Sequence, residues 1–306
     1  MPNGRWKAAK LKESIERRVF FLYFCSCFQT EHMENLKVLY IAQEITPFLP
    51  ENEISIKARH LPQYMHEKEH EIRVFMPRFG CINERRHQLH EVIRLSGMNL
   101  VIDDDDHPLI IKVASIPQIR MQVYFIDNEE FFKRKSIFTD KEGNFHEDND
   151  ERSLFFCKGV LETVKKLGWK PDIVHCHGWM TAFAPVLIRK IFNEDPHFEQ
   201  SRIIYSAYDN RVQDRFDDRM MAKLDYEGFV AEDVEVMKDA TFDNLQRLAL
   251  QYSDGVIKGS EKLEDATLKS IEESGLPVLD YQDEASYQAA YEEFYKTVFE
   301  HSSELV

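Results

Sequence analysis

Residues 36–42 read Leu-Lys-Val-Leu-Tyr-Ile-Ala, a near-continuous apolar run. Such a run is typical of a strand in a parallel sheet, because helices bury both faces of that sheet. Further short runs of this kind occur at 71–77, 121–126, 172–176, 202–206 and 254–258. Helical patterns separate most of them, and this alternation predicts an α/β fold, doubly wound around a mostly parallel sheet with right-handed crossovers.

Apolar residues at helical spacing predict the helices between these strands. We expect helices at 54–66, with Pro62 as a kink, and at 150–167, 179–192, 241–252, 261–273 and 284–300. Asp148 or Asp150 can cap the second of these. Residues 211–240 are charge-dense and weakly periodic, which predicts short helices and loop. With no repeat or linker in view, we expect one Rossmann-like domain over 34–306.

Composition excludes several classes of protein. The chain has 306 residues, 43% of them hydrophobic, and a formal net charge of −15. This charge disfavours a nonspecific nucleic-acid binder, which is usually basic. The sequence contains no phosphate-binding glycine-rich motif and no serine nucleophile elbow. Its five cysteines show no regular spacing, so we expect a reducing compartment and a cytoplasmic location.

Residues 1–33 allow three interpretations. A basic start precedes a short apolar run at 19–28, which is the outline of a signal peptide. The run is too short to span a membrane, and no clear cleavage site follows it. We favour an unstructured or mis-assigned extension, with translation starting at Met33, over a secretion signal or an ordered helix.

Polar side chains follow three predicted strands where each strand ends. Ligands of open parallel sheets bind at this edge, beyond the carboxyl ends of the strands. The candidate site residues are Glu44, Pro47, His175, His177, Trp179, Tyr208 and Asp209.

Two nearby features favour simple structural explanations. His175 and His177 point to one side of an extended strand, but no further zinc motif accompanies them, so we expect no metal. Cys176 points the opposite way and is predicted to be a buried strand residue. The acidic run at 103–106 is predicted to be a solvated turn, because four consecutive carboxylates cannot converge on one ion.

Four ordered segments resemble bacterial glycogen synthases and plant starch synthases. They are residues 37–48, 71–82, 123–128 and 168–179, and the resemblance extends over roughly 36–260. The resemblance implies a retaining glucosyltransferase of the GT-B type that transfers glucose from ADP-glucose to an α-1,4-glucan. It also implies two Rossmann-like halves, of which the N-terminal half meets the acceptor. This chain resembles that half, with the crossing to the second half expected near Ser260.

The sequence departs from the family at a Lys-x-Gly-Gly-Leu motif, which lets the chain approach the donor phosphates. Pro50 replaces the lysine, and Asn52 and Glu53 replace the two glycines. The carboxylates of Glu51 and Glu53 now occupy this stretch. At about 5 Å and an effective dielectric constant of about 20, one like-charge contact opposes binding by about 3 kcal/mol. We therefore expect the diphosphate site on this half to be disabled.

The family resemblance is compatible with glucan binding. His177 matches a family histidine near the transferred glucose and is the sole candidate for a catalytic role. Trp179 and Tyr208 are expected to stack on a glucan, and the implied ligand is an α-glucan or maltooligosaccharide, with no cofactor. The leading hypothesis is a glucan-binding or regulatory protein without catalysis of its own.

Two other hypotheses remain open. The chain could form an active transferase with a separate donor-binding polypeptide, or it could be a different α/β enzyme that has reused the first half. The expected protein partner is a glycogen synthase or such a donor half, with neither nucleic acid nor membrane involved.

Overall fold

A ten-stranded sheet lies at the centre of the computed structural model, which describes residues 35–116, 119, 121–211 and 215–300. The interpretations of residues 1–33 lie outside the described residues. The strands are β1 (Lys37–Ala42), β2 (Glu71–Pro77), β3 (His90–Glu91), β4 (Met98–Ile102), β5 (Asp105–Ile116), β6 (Met121–Asp127), β7 (Ile173–His177), β8 (Arg202–Ala207), β9 (Gly255–Lys258) and β10 (Val278–Leu279).

The sheet is mostly parallel, as the sequence predicts. Its order is β10-β9-β8-β7-β1-β2-β6-β5-β3, and every pair from β10 to β6 is parallel. Strand β5 runs antiparallel to β6, and β3 and β4 pair antiparallel with β5. The acidic run at 103–106 forms the β4–β5 turn and the start of β5, so a turn is confirmed at its first two residues. Asp103 is not solvated as predicted, because it is buried and pairs with Arg219.

Helices follow the strands close to the predicted positions. They are α1 (Glu53–Glu67), α2 (Glu84–His87), α3 (Glu129–Phe132), α4 (Asn149–Lys166), α5 (Phe183–Val186), α6 (Met220–Tyr226), α7 (Phe242–Gln251), α8 (Asp265–Ser274) and α9 (Tyr287–Glu300). Short 3₁₀ segments occupy Trp179–Thr181 and Glu235–Lys238, and a π-helical turn occupies Leu187–Ile191. None of the described helices is long and apolar enough to cross a membrane.

Two helix predictions need correction. The single helix expected at 179–192 is a 3₁₀ turn, one α-helical turn and a π-helical turn in succession, and Pro185 inside it has no N–H for a regular helical bond. Asp148 precedes α4 but makes no capping hydrogen bond, because its carboxylate pairs with Arg134. Asp150 lies inside the helix and pairs with Lys223.

Alternation along β7 shows that helices cover both faces of the sheet. His175 lies on one face, where its ring contacts Tyr295 of α9. Cys176 is buried on the other face, near Cys157 of α4, as predicted. Helices α1 and α9 pack together on the first of these faces. The doubly wound α/β fold is therefore confirmed, and all its elements belong to a compact unit that begins at Lys37.

Strand order places a crevice at the centre of the carboxyl edge. The chain leads from β1 to β2 on one side and from β7 to β8 on the other, so the winding reverses between β1 and β7. Ala42 is in register with His177, which is in register with Ser206, so the strand ends lie level. A reversal of this kind is where ligands bind in open α/β sheets.

Candidate functional site

Gln43 fills the crevice between β1 and β7. Its side chain is buried, and its carbonyl oxygen accepts from the Met180 N–H at 3.3 Å and the Asn210 amide at 3.5 Å. Its amide donates to Glu44 at 2.9 Å. A Cβ on Gly178, where φ is +87°, would lie 2.4 Å from the Gln43 carbonyl oxygen. Glycine is therefore required after His177, because φ is positive there and the Gln43 side chain fills the space of a Cβ.

The N-terminus of α1 is closed by side chains of this chain. The Asn52 side chain accepts from the Ser55 N–H at 2.8 Å, and the Ser55 hydroxyl accepts from the Asn52 N–H at 2.8 Å. The Asn52 amide donates to Glu44, and the Ser260 hydroxyl donates to Glu53. This reciprocal cap satisfies donors that a helix N-terminus otherwise offers to an anion.

Lys57 is a buried cation that the chain itself engages. Its ammonium donates to the Gly259 carbonyl and lies 4.9 Å from the centre of the Tyr281 ring and 5.7 Å from that of Tyr208. Burial lowers the pKa of Lys57 from its usual value. A Cβ on Gly259 would approach the Tyr208 ring to 2.4 Å, so this packing also requires glycine. The ammonium is thus held by the chain rather than presented to solvent.

His177 is fully buried beside this lysine. Its Nδ1 lies 2.9 Å from the Tyr208 hydroxyl, and its Nε2 has no hydrogen-bond partner among the described residues. Burial, with the Lys57 charge as a second cause, lowers the pKa of His177 to about 3. The imidazole is therefore uncharged at neutral pH and available for hydrogen bonding, not for charge stabilisation.

His175 connects the sheet to the C-terminal helix. Its Nδ1 lies 2.6 Å from the Tyr295 hydroxyl, and its Nε2 lies 2.7 Å from the Ser206 hydroxyl. The Tyr295 hydroxyl in turn lies 3.3 Å from that of Tyr40. Burial lowers the pKa of His175 well below its usual value. Both of its ring nitrogens are engaged, and no group of three potential metal ligands occurs among the residues that the structure describes.

Trp179 and Tyr208 are buried, contrary to what stacking on a glucan requires. The Trp179 ring is enclosed by Phe138, Phe145 and Phe216, with ring centres 5.2, 5.8 and 5.9 Å away. Tyr208 lies between His177 and Gly259 and is 3% exposed. Neither ring presents a face to solvent in this structure, so a glucan could stack on them only if their neighbours moved.

The other predicted site residues lie at the surface of the edge. Glu44 is half-buried and bonded to Gln43, whereas Pro47 and Asp209 are exposed. The Asp209 N–H donates to the Ser260 hydroxyl at 3.1 Å, which links β8 to β9. Gln43, which was not among the predicted site residues, therefore connects the three strand ends that the sequence singled out. Ser260 adds a link from β8 to α1.

A cleft of about 490 Å³, which we call the 145/216 cleft, is a further feature missed from the sequence. Its lining comprises Phe145, Glu147, Arg215, Phe216, Asp217 and Asp218. Both phenylalanines contact Trp179, so the cleft lies beside the segment that follows β7. The aromatic residues fall in loops without periodicity, and no sequence pattern relates position 145 to position 216.

The fold and its central crevice define the class of protein first. They are those of one Rossmann-like half of a GT-B glycosyltransferase. A solved structure described as the catalytic domain of starch synthase IV from Arabidopsis thaliana, bound to ADP and acarbose, matches with a TM-score of 0.67. The match covers 81% of this chain and 52% of that chain at 18% identity, and it shows the fold.

The family follows from the sequence comparisons. A family model for the starch synthase catalytic domain matches residues 37–277, and the chain belongs to this family. Glycogen synthase from Chlorobium phaeobacteroides is 38% identical over 175 residues, which are 57% of this chain and 36% of the relative. Glycogen synthase from Chlorobaculum tepidum is 36% identical over 203 residues, 66% of this chain and 42% of the relative. The matches thus span about two fifths of these relatives.

Proposed function

We propose that this chain binds an α-glucan, does not bind ADP-glucose at the α1 edge, and serves glucan metabolism as a binding or regulatory protein. The glucan follows from the family, whose relatives are named glycogen synthases. A catalytically complete glycogen synthase is the protein partner that this role implies. Cys157 and Cys176 are free thiols, which agrees with a reducing, cytoplasmic setting.

The closed N-terminus of α1 is the observation that carries the proposal. A diphosphate needs free N–H groups or a free cation at such a helix start. Here Asn52 and Ser55 bond to each other, Glu53 accepts from Ser260, and the Lys57 ammonium donates to Gly259. The N–H groups of Asn52 and Ser55 and the Lys57 ammonium are therefore engaged within the chain and are not free for a phosphate.

Negative charge at the same edge also opposes the binding of a diphosphate. Glu51 and Glu53 are exposed, and Glu44 lies within hydrogen-bond reach of Asn52. A carboxylate about 5 Å from an approaching phosphate makes its binding free energy less favourable by about 3 kcal/mol before salt screening. An uncharged glucan does not encounter this repulsion, so the edge discriminates between the two ligands of the reaction.

His177 adds no cationic group to this edge. Its pKa of about 3 keeps it neutral, and its ring is enclosed by Tyr208, Tyr40 and His175. In the proposed role it is a structural residue of the buried cluster rather than a catalytic residue.

Calorimetric titration of the purified chain tests the proposal. We expect a saturable heat with maltoheptaose and none with ADP-glucose at millimolar concentration, with ADP alone and buffer as controls. A Glu53→Gln variant reports on the charge: it should also fail to bind ADP-glucose, because Lys57 and the helix cap remain engaged. Saturable ADP-glucose binding by the wild-type chain, or no maltoheptaose binding, would refute the proposal.

A further inference from the structure

The 145/216 cleft combines aromatic rings with carboxylates. Phe145 is half-buried, and its ring centre lies 5.8 Å from that of Phe216 at an interplanar angle of 70°. Both rings pack on Trp179, whose indole N–H has no partner among the described residues. The aromatic wall is thus supported from behind by a rigid core side chain, and Phe145 leaves part of its ring facing outward.

Charge in the cleft is predominantly negative. Glu147 and Asp218 are exposed, and Asp217 is partly exposed. The one cationic lining residue, Arg215, donates to Asp239 at 2.6 Å and lies 3.8 Å from Asp218. The guanidinium therefore already has carboxylate partners, and the cleft has a surplus of hydrogen-bond acceptors.

Lys223 fixes one wall of the cleft. Its buried ammonium lies 2.7 Å from Asp217, 2.8 Å from Asp150 and 2.7 Å from Glu151. Because Asp150 and Glu151 belong to α4, this ion cluster fastens the loop that carries Asp217 and Phe216 to a long helix. Asp217 is therefore held at a defined position, as a binding group requires if it is to select a ligand by geometry.

We propose that the 145/216 cleft is the site that holds the glucan, a proposal that rests on the function proposed above. The apolar face of a sugar ring packs on Phe145, and its hydroxyls donate to Glu147 and Asp218. The surplus of carboxylates excludes phosphorylated sugars and nucleotides, because like charges repel. The volume of about 490 Å³ lies within the range of small-molecule sites, which is about 300–1,000 Å³.

Titration of three variants with maltoheptaose tests this site. Phe145→Ala should raise the dissociation constant for maltoheptaose about tenfold, because losing one aromatic contact costs about 1 kcal/mol and about 1.4 kcal/mol corresponds to tenfold. Glu147→Gln replaces an exposed carboxylate by an amide, leaves folding intact, and should weaken binding several-fold. Tyr226→Ala is the matched control, because it removes an aromatic ring that is 58% exposed and does not line the cleft. It should bind like the wild type.

Each outcome separates this proposal from the proposed function. If the wild type binds maltoheptaose and both cleft variants bind it equally well, the cleft assignment is wrong and glucan binding stands. If Phe145→Ala loses its fold, judged by circular dichroism, Glu147→Gln alone decides. If the wild-type chain binds no maltoheptaose, both proposals fail. Loss of binding in the cleft variants but not in Tyr226→Ala supports the cleft.

Discussion

His177 is neutral because burial, and secondarily the Lys57 ammonium, lowers its pKa to about 3. The ring is enclosed by His175, 3.8 Å away between ring centres, and by the Tyr40 ring at 6.0 Å. A protonated imidazole has no carboxylate partner in this cluster among the contacts described. The protonated form is therefore excluded from the native state over the physiological pH range.

This depressed pKa makes stability depend on pH. Below the unfolded pKa of about 6.5, the unfolded chain binds a proton that native His177 does not, so the free energy of unfolding falls as pH decreases from 6.5 towards 3. Between pH 7 and pH 5 this one residue should lower it by about 2 kcal/mol.

Urea unfolding of the wild type and of His177→Gln at the two pH values measures the effect. The free energy of unfolding should change between pH 7 and pH 5 by about 2 kcal/mol less in the variant than in the wild type, whatever the variant's absolute stability. Equal differences in the two proteins would mean that His177 titrates normally in the folded state.

Alternation along β7 predicted from the sequence that His175 and His177 share a face and that Cys176 lies opposite, and both hold in the structure. It could not predict that Trp179 and Tyr208 are covered. Their burial depends on Phe138, Phe216 and Gly259, which are distant in sequence and reach the site only through tertiary packing. Sequence position indicates which edge a residue reaches, whereas exposure is set by what folds over that edge.

Helix α9 is the element that closes one face of the sheet centre. Tyr291 and Tyr295 from this helix lie against His175, and Glu292 accepts from Tyr64 of α1 at 2.8 Å. Both tyrosine side chains are buried. The helix is therefore fastened to the middle of the sheet and to α1, rather than lying loosely at the end of the described chain.

Tyr295→Phe tests the docking of α9. It removes the hydroxyl that lies against His175 and Tyr40 and should lower the free energy of unfolding by about 1–3 kcal/mol, because it leaves a buried polar group unpaired. Tyr226→Phe, at an exposed tyrosine, should change it by less than about 0.5 kcal/mol. Equal effects in denaturant melts would contradict the assigned network.

Lys223→Met tests the ion cluster that joins α6 to α4. Removing this ammonium leaves Asp150 buried without its partner, and such a loss costs about 3–5 kcal/mol. Lys262→Met, at an exposed lysine, is the matched control and should stay within about 0.5 kcal/mol of the wild type. A loss of under about 1 kcal/mol for Lys223→Met would show that the cluster is dispensable.

Strands were predicted more accurately than the helices between them. The buried runs that become β1, β7 and β8 carry a strong apolar signal, and their observed bounds differ little from the predicted ones. The segment after β7 changes helix type twice, because Pro185 interrupts the regular bonding pattern. The cap expected from Asp148 is absent because Arg134, 14 residues earlier, takes the carboxylate, a partnership that no local pattern shows.

At the scale of the whole molecule, the polar groups of the carboxyl edge bond mainly to one another. Gln43, Asn52, Lys57 and Ser260 link β1, α1 and β9 into a continuous surface. The 145/216 cleft lies beside Trp179, which follows β7. Under the two proposals above, the linked polar groups do not bind diphosphates, and the cleft binds the sugar.

A donor-binding polypeptide supplied separately is the main alternative to this account. It would have to bring the cation that holds the phosphates, since the Lys57 ammonium is already engaged by Gly259. We predict that mixing the chain with the donor-binding half of a glycogen synthase restores no transfer activity above that of the added half. Activity found only in the mixture would favour the alternative.

The most direct measurement is glucosyl transfer by the purified chain. Radiolabelled ADP-glucose and maltoheptaose are incubated with the protein, with a catalytically active glycogen synthase as positive control, and the oligosaccharides are separated by length. We predict no labelled product longer than maltoheptaose above the level of the protein-free blank. Labelled maltooctaose that accumulates in proportion to the amount of this chain would contradict the central claim.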